Sequence, residues 1–344
     1  MADEFPKYCK IQHLWHKSLM RLSTDYQRKF GPGLKFVRPT ASAQESADMV
    51  YNLLSGDAPC MIARYGSTEL NCMTNYIGTE QGIWNLPGFI RGTREPWWWV
   101  PARVNDLRDF SGFFPLEKAA LEAFCEFLIC DSEEVDILAS WRAGEHHLRK
   151  QLKNAKRIFL PYLEPYYAEK PWTRCLAGKK VLVIHPFAPL IEKQYNERRS
   201  LLFKNPDILP EFELQTIQAV QTLGGRGDTM FLSWFTALAS MEQEIDKRDF
   251  DIALIGCGAY GFPMAAHVKF RKKKAVHLGG ALQLLFGIKG KRWEDPMYGV
   301  REWGLPKGFY TDMFASAPDP DAWIKAGDEF KSPNADKVEG GCYW

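Results

Sequence analysis

Residues 251–293 read DIALIGCGAYGFPMAAHVKFRKKKAVHLGGALQLLFGIKGKRW, and their pattern decides the fold. The apolar run at 252–255 predicts a buried strand, and Gly256, Gly258 and Gly261 form a glycine-rich turn. A helix follows as far as Arg271. A second strand at 275–278 then breaks at Gly279-Gly280 before a short helix. This is a βαβ unit. Glycines in such a turn let the backbone come close to a ligand. The free N–H groups and positive dipole end of the following helix attract an anion, typically a nucleotide diphosphate. Pro263 suits the first turn of that helix, where its missing N–H costs nothing.

The glycine spacing at 256–261 is also that of the dinucleotide fingerprint, which asks for an acid about 20 positions on to hold a ribose. None stands there: Arg271, Lys272, Lys273 and Lys274 precede the second strand, and His277-Leu278 end it. A basic residue near that end tolerates the 2′-phosphate of NADP. An NADP-linked oxidoreductase therefore stays open beside a nucleotide or sugar-phosphate site and a purely structural turn.

With 344 residues, 46% hydrophobic content, 12 Trp and 22 Phe, the chain can bury a substantial core. A net charge of +2 gives no bulk attraction to nucleic acid, and the 271–274 run reads as the solvated end of a helix. The opening residues are polar and carry no secretory signal. The uncharged stretches 229–241 and 275–288 fall short of the roughly 18 residues that span a bilayer. A cytoplasmic protein with no integral membrane segment is expected. The eight cysteines lack any C-x-x-C pair and read as reduced thiols, with neither a zinc site nor a disulfide frame.

A helix is predicted over 8–30, with Ile11, Leu14, Trp15, Leu19 and Leu22 as its apolar positions, packed as an arm on the main domain. After a second helix at 43–54, the strand 60–63 stops at Arg64-Tyr65-Gly66. If Gly66 caps the next helix, Glu69 falls in its first turn. In a parallel sheet all carboxyl ends share one edge, so Arg64, Glu69 and the 256–261 turn are predicted to face one crevice. The bland readings are half a capping box for Glu69 and a surface charge for Arg64. The aromatic region 78–114, with Trp97, Trp98 and Trp99, reads as a lid, or equally as a core under a loop. A strand or helix at 133–141 is followed by a helix over 142–154, whose Glu145, His146 and His147 lack metal-site spacing and read as surface. The strand 181–184 runs straight into His185-Pro186, which puts His185 at the functional edge. A strand at 212–220, a turn at 224–227 and a helix at 229–247 precede the glycine-rich unit.

The segment at 61–70, MIARYGSTEL, resembles the Arg-aromatic-Gly-Asp-x-Glu signature of GT-D type glycosyltransferases. The segments around Glu164-Pro165-Tyr166, His185-Pro186-Phe187, 256–261 and 277–293 resemble uncharacterised bacterial proteins associated with surface-polysaccharide synthesis. The resemblance implies transfer of a sugar from a nucleotide-sugar donor to a glycan or lipid-linked acceptor, with a divalent metal on the acid pair. Arg64, Tyr65, Gly66 and Glu69 match by position. Ser67 stands where the family has Asp, and a hydroxyl is a poor lone ligand for Mg²⁺ or Mn²⁺, so no metal ligands are assigned. Asp228 or Asp136 is the alternative source of a ligand.

Together these readings predict an α/β fold, a doubly wound, mostly parallel sheet of five or six strands with helices on both faces. A helical arm covers 1–55, the nucleotide-sugar-binding domain 56–305 and a wrapping tail 306–344. Glu69 and His185 are the candidate catalytic residues. Arg64, Tyr65, Gly66, Ser67, Gly256, Gly258, Tyr260, Gly261, His277, Lys289, Lys291 and Arg292 are the candidate donor-binding residues. A non-catalytic nucleotide- or glycan-binding protein remains the third reading.

Overall fold

The computed structural model describes residues 5–222, 230–331 and 341–344. In chain order the elements are α1 (Lys10–Phe30), α2 (Ala43–Ser55), β1 (Cys60–Ala63), α3 (Ser67–Gln81), α4 (Leu86–Ile90), α5 (Pro101–Ser111), α6 (Lys118–Asp131), β2 (Ile137–Ser140) and β3 (Lys156–Phe159). Then come β4 (Lys180–His185), α7 (Ala188–Leu202), β5 (Glu213–Gln218), α8 (Trp234–Asp246), β6 (Ile252–Ile255), α9 (Gly261–Phe270), β7 (Lys274–His277), α10 (Leu282–Leu285), β8 (Ile288–Lys289), α11 (Val300–Trp303), α12 (Phe309–Ala315) and β9 (Ile324–Lys325).

Seven strands form one sheet in the order β3-β2-β1-β7-β6-β4-β5, and every pairing is parallel. Strand side chains alternate between two buried layers, as the two-residue pleat requires. Met61, Ala63, Leu138, Leu182, Ile184, Ala253, Ile255 and Ala275 pack under α3, α5, α6, α8 and α9. Cys60, Ile62, Ile137, Ala139, Val181, Val183, Leu254 and Val276 pack under α2, α7, α10 and α12. The fold is a doubly wound α/β sheet. The sequence reading falls short by at least one strand, because the apolar ILAS of β2 is too short for periodicity to separate it from a buried helix.

This layering parts the carboxyl edge. The chain leaves β1 and β6 for one face and β4 and β7 for the other, so the neighbours β1-β7, β7-β6 and β6-β4 diverge above the sheet. Divergence of this kind is where ligands enter open α/β sheets.

Several local expectations are corrected. The helix expected over 142–154 is two 3₁₀ segments, Ala143–Leu148 and Gln151–Asn154. The aromatic region holds α4 and α5, and Trp98, Trp99 and Phe113 are buried in the core, so it is no lid. Helix α8 starts at Trp234, where the Ser233 hydroxyl accepts the Thr236 N–H at 3.2 Å. The turn at 224–227, residue 229 and Asp228 lie outside the described residues. Beyond residue 306, β9 pairs with β8 and Tyr310, Phe314 and Trp323 enter the second core layer, so this tail helps to build the core.

One buried group is poorly matched to its place. Asp131, at the end of α6, is 4% exposed and its Oδ2 has no hydrogen-bond partner. Burial, with the Glu242 and Glu134 charges adding to it, raises its carboxyl to about 8. The folded state therefore holds a proton that the unfolded chain, with a pKa of about 3.9, releases. Asp131 subtracts stability progressively as pH rises through that window. Asp131→Asn should raise the calorimetric melting temperature clearly more at pH 8 than at pH 4; an equal shift at both pH values would refute this account.

Candidate functional site

Strand β1 ends at Ala63, and Gly66 then opens α3 in an ordinary extended conformation (φ −68°, ψ 151°). Glycine here leaves space for the Glu69 carboxylate. A Cβ at 66 would lie 1.8 Å from Glu69 Oε2, because the carboxylate folds back over the helix start. That carboxylate is 9% exposed and accepts the Thr68 hydroxyl at 3.0 Å. It shares a narrow cleft with Tyr65, Gly66, Gly258, Phe262 and His277, whose free space is about 10 Å³, room for one water molecule.

The glycine-rich turn divides its labour. Gly256 has no room for a side chain, since a Cβ would meet the Gly279 carbonyl at 2.6 Å and the His185 ring at 3.0 Å. At Gly261 a Cβ would meet the His277 imidazole at 2.2 Å. Only Gly258 is exposed, left-handed (φ +57°) and open on its Cβ side, and it alone offers bare backbone to a ligand.

Both histidines are buried and neutral. Burial lowers His185 to about 3, and its Nδ1 accepts the Phe187 N–H at 3.0 Å. With Nδ1 filled and the ring sealed in the core, His185 does not suit the predicted role of base. In His277, Nδ1 donates to the Ile255 carbonyl at 3.3 Å, which leaves the Nε2 lone pair as the remaining acceptor of a ring that lines the cleft. Burial, then the Arg64 charge, lowers it to about 3.

Other predicted residues are placed differently. The Tyr65 ring stacks on Phe262 at 4.8 Å and its hydroxyl donates to Ser132 at 2.7 Å, so its polar group faces the core. Tyr260 stacks on Trp234 at 5.1 Å and its hydroxyl meets that of Thr222 at 3.1 Å, again in the core. Lys289 lays its Nζ over the Phe314 ring and Lys291 is exposed; no contact among the described residues ties either to the cleft. Asp136 sits at the opposite, amino edge, accepting the Met61 N–H and pairing with Lys269. The 271–274 run also lies at that edge, which removes it as a 2′-phosphate site. Glu145, expected at the surface, is 2% exposed.

Glu145 leads to the residues that sequence reasoning missed. Its carboxylate accepts the Trp141 N–H at 2.9 Å and the Arg142 N–H at 3.0 Å, and pairs with Arg157 at 3.0 Å, which pins the turn after β2. Trp141 is further fixed by donating Nε1–H to the Tyr65 carbonyl at 3.1 Å. On its ring lie two guanidinium groups, Arg142 at 4.9 Å and Arg64 at 5.5 Å. Arg64 also passes over Gly279, whose positive φ of 67° brings the backbone in close. Among the described residues no carboxylate pairs with Arg64 or Arg142, and Arg64 Nε is buried with no hydrogen-bond partner. Burial foremost, with the Arg64 charge opposing Glu145, pushes Arg142 below the usual arginine value.

Glu164, beyond β3, completes the group. Burial raises it to about 8 despite the Tyr310 hydroxyl at 2.9 Å and the Arg292 and Arg64 charges, so at neutral pH it is mainly protonated. Arg292 is thereby tied to the same edge, under the Tyr343 ring at 4.3 Å. A larger hollow of about 240 Å³ beside Phe203 and Pro318 sits at the far end of α7, away from all of these groups.

The described residues at the cleft do not make a donor set for a divalent metal. Ser67 is partly exposed with Glu69 as the one acid in the cleft, and among the described residues no three His, Cys, Asp or Glu side chains gather to hold an ion.

The neutral His277 predicts a pH signature. Its folded pKa lies below the unfolded value of about 6.5, so its stabilisation is full above that pH and is lost as pH falls toward 3. The gap in melting temperature between wild type and His277→Gln should narrow from pH 7 to pH 4. A gap independent of pH would mean that the ring is not held neutral. Comparison with protein-family models, with curated proteins and with solved structures finds no match.

Proposed function

We propose that the chain is a glycosyltransferase that takes a sugar from a nucleotide-diphosphate donor and passes it to a surface-glycan or lipid-linked acceptor. The observation that carries this reading is the pair of arginines, Arg64 and Arg142, lying on Trp141 with no ion-paired acid among the described residues, at the parted carboxyl edge. A diphosphate is the complementary ligand. Guanidinium forks bind phosphate oxygens in pairs, and they neutralise the charge that grows on the leaving group as the glycosidic bond breaks. The cleft beside them is too small for a sugar. The donor in this reading lies along the open edge, with Gly258 presenting backbone and Trp141 a flat face.

Glu69 is the group suited to act on the acceptor. Among the described residues it is the one carboxylate lining the cleft, held against Gly66 with His277 on the same wall. It takes the acceptor proton as the new bond forms, or holds the donor ribose. A protonated Glu164 next to the arginines donates a hydrogen bond to a phosphate oxygen where an ionised one would repel it.

Thermal shift with UDP-, GDP- and dTDP-sugars, with NADP as the contrast, reads the ligand class, since a ligand at a hundredfold its Kd stabilises the fold by about 2.7 kcal/mol. A sugar nucleotide should shift the melt and NADP should not; the reverse would favour an oxidoreductase. Glu69→Gln, Arg64→Met and Arg142→Met should each lower transfer at least tenfold, about 1.4 kcal/mol on the barrier, with little change in melting temperature. Transfer should persist in EDTA. Variants that melt early yet keep full specific activity would reduce these residues to structural roles.

A further inference from the structure

Helix α1 is held by one face only. Leu19 is buried against Phe89 and Trp98, the His16 ring stacks on Trp98 at 4.4 Å, and the Ser23 hydroxyl donates to the Phe89 carbonyl at 2.8 Å. These contacts fix the rotation of the helix. At 100° per residue, Ile11, Leu14, Trp15 and Leu22 fall on a neighbouring stripe, and they are exposed by 80%, 63%, 58% and 54%. Lys10, Lys17, Arg21 and Arg28 line the flank beyond that stripe. The helix bears five Lys or Arg against one Asp, more positive charge than the whole chain's +2.

We infer that α1 is a membrane-surface anchor that lays its Ile11-Leu14-Trp15-Leu22 ridge into the interface of an anionic bilayer. An apolar stripe with a tryptophan, bordered by cations, is the arrangement that lies in the headgroup region, where the acyl boundary takes the ridge and anionic lipids meet the basic flank. A second copy is the poorer occupant, because a second α1 brings one Asp against five Lys or Arg to the basic flank, and antiparallel ridges would set the two flanks side by side. The helix does not cross the bilayer, since no described helix is long and apolar enough. The inference stands independently of the proposed activity, although a lipid-linked acceptor would be met at the same surface.

Flotation of the whole protein tests it, using vesicles of phosphatidylcholine with or without phosphatidylglycerol at about 0.1 M salt. Wild type should float with the anionic vesicles at least tenfold more than with phosphatidylcholine alone, and high salt should release it. Leu14→Ser/Trp15→Ser and Lys17→Glu/Arg21→Glu should each lose at least tenfold in binding. Their melting temperatures should hold, because all four side chains face solvent. Brominated lipid should quench part of the fluorescence of wild type, and Trp15→Phe should remove that part. No flotation by wild type, or flotation unchanged in both double variants, overturns the anchor. A dimer in light scattering that becomes a monomer in Leu14→Ser/Trp15→Ser also overturns it, in favour of self-association.

Discussion

The closeness that Gly256 and Gly261 permit sets the shape of the whole carboxyl edge. Gly256 lets the loops after β4, β6 and β7 touch, with His185, Gly279 and Leu282 around it, and Gly261 lets α9 sit directly on the His277 imidazole. Any side chain at either position would force apart strands that are paired in register, Ile255 with His277 among them. The two rings are tolerated inside because they are neutral and each Nδ1 has a backbone partner; a charged imidazole there would carry a large desolvation cost. A turn that reads as a ligand loop is thus mostly a packing device, with Gly258 left as its one open backbone position.

That division explains what the sequence could and could not disclose. The parallel sheet is legible because β4, β6 and β7 are short apolar runs each ending at a polar or glycine residue. From parallel strands alone it follows that Arg64, Glu69, Gly258 and His277 share an edge. Tyr65 and Tyr260 mislead for a physical reason: a tyrosine next to a glycine turn is equally suited to stacking on a sugar and to filling a core, and only its hydroxyl partner tells the two apart. Those partners, Ser132 and Thr222, come from distant segments. Trp141 and Arg142 escape because they follow β2, the strand left undecided between strand and helix, and because Glu145 holds their turn from a stretch with no periodicity. Lys289 and Lys291 carry the right charge, yet a basic cluster in sequence is no cluster in space when one ammonium lies over Phe314.

In the proposed reading the arginine pair bears on Ser67, which stands where the resembled signature has Asp. An acid pair recruits a divalent cation, and the cation in turn neutralises a diphosphate; here the positive charge is already built into the chain. Two guanidinium groups on one indole repel each other, and the ring face, with its negative quadrupole, offsets only part of that repulsion. Neither forms an ion pair with a carboxylate among the described residues, and Arg142 is pushed down by burial and by the Arg64 charge, with the Glu145 charge offsetting only part of this. Surface ion pairs add little to stability, so an unpaired arginine at the rim costs a fold almost nothing. Both are partly buried, and the turn that carries Arg142 is fixed by the Trp141 and Arg142 N–H groups donating to Glu145 and the Trp141 Nε1–H donating to the Tyr65 carbonyl; in the proposed reading an arriving anion offsets the cost of holding them there. An aspartate at 67 would partly cancel that field. Serine leaves it intact, so in the proposed reading Ser67 and the arginine pair belong to one electrostatic arrangement.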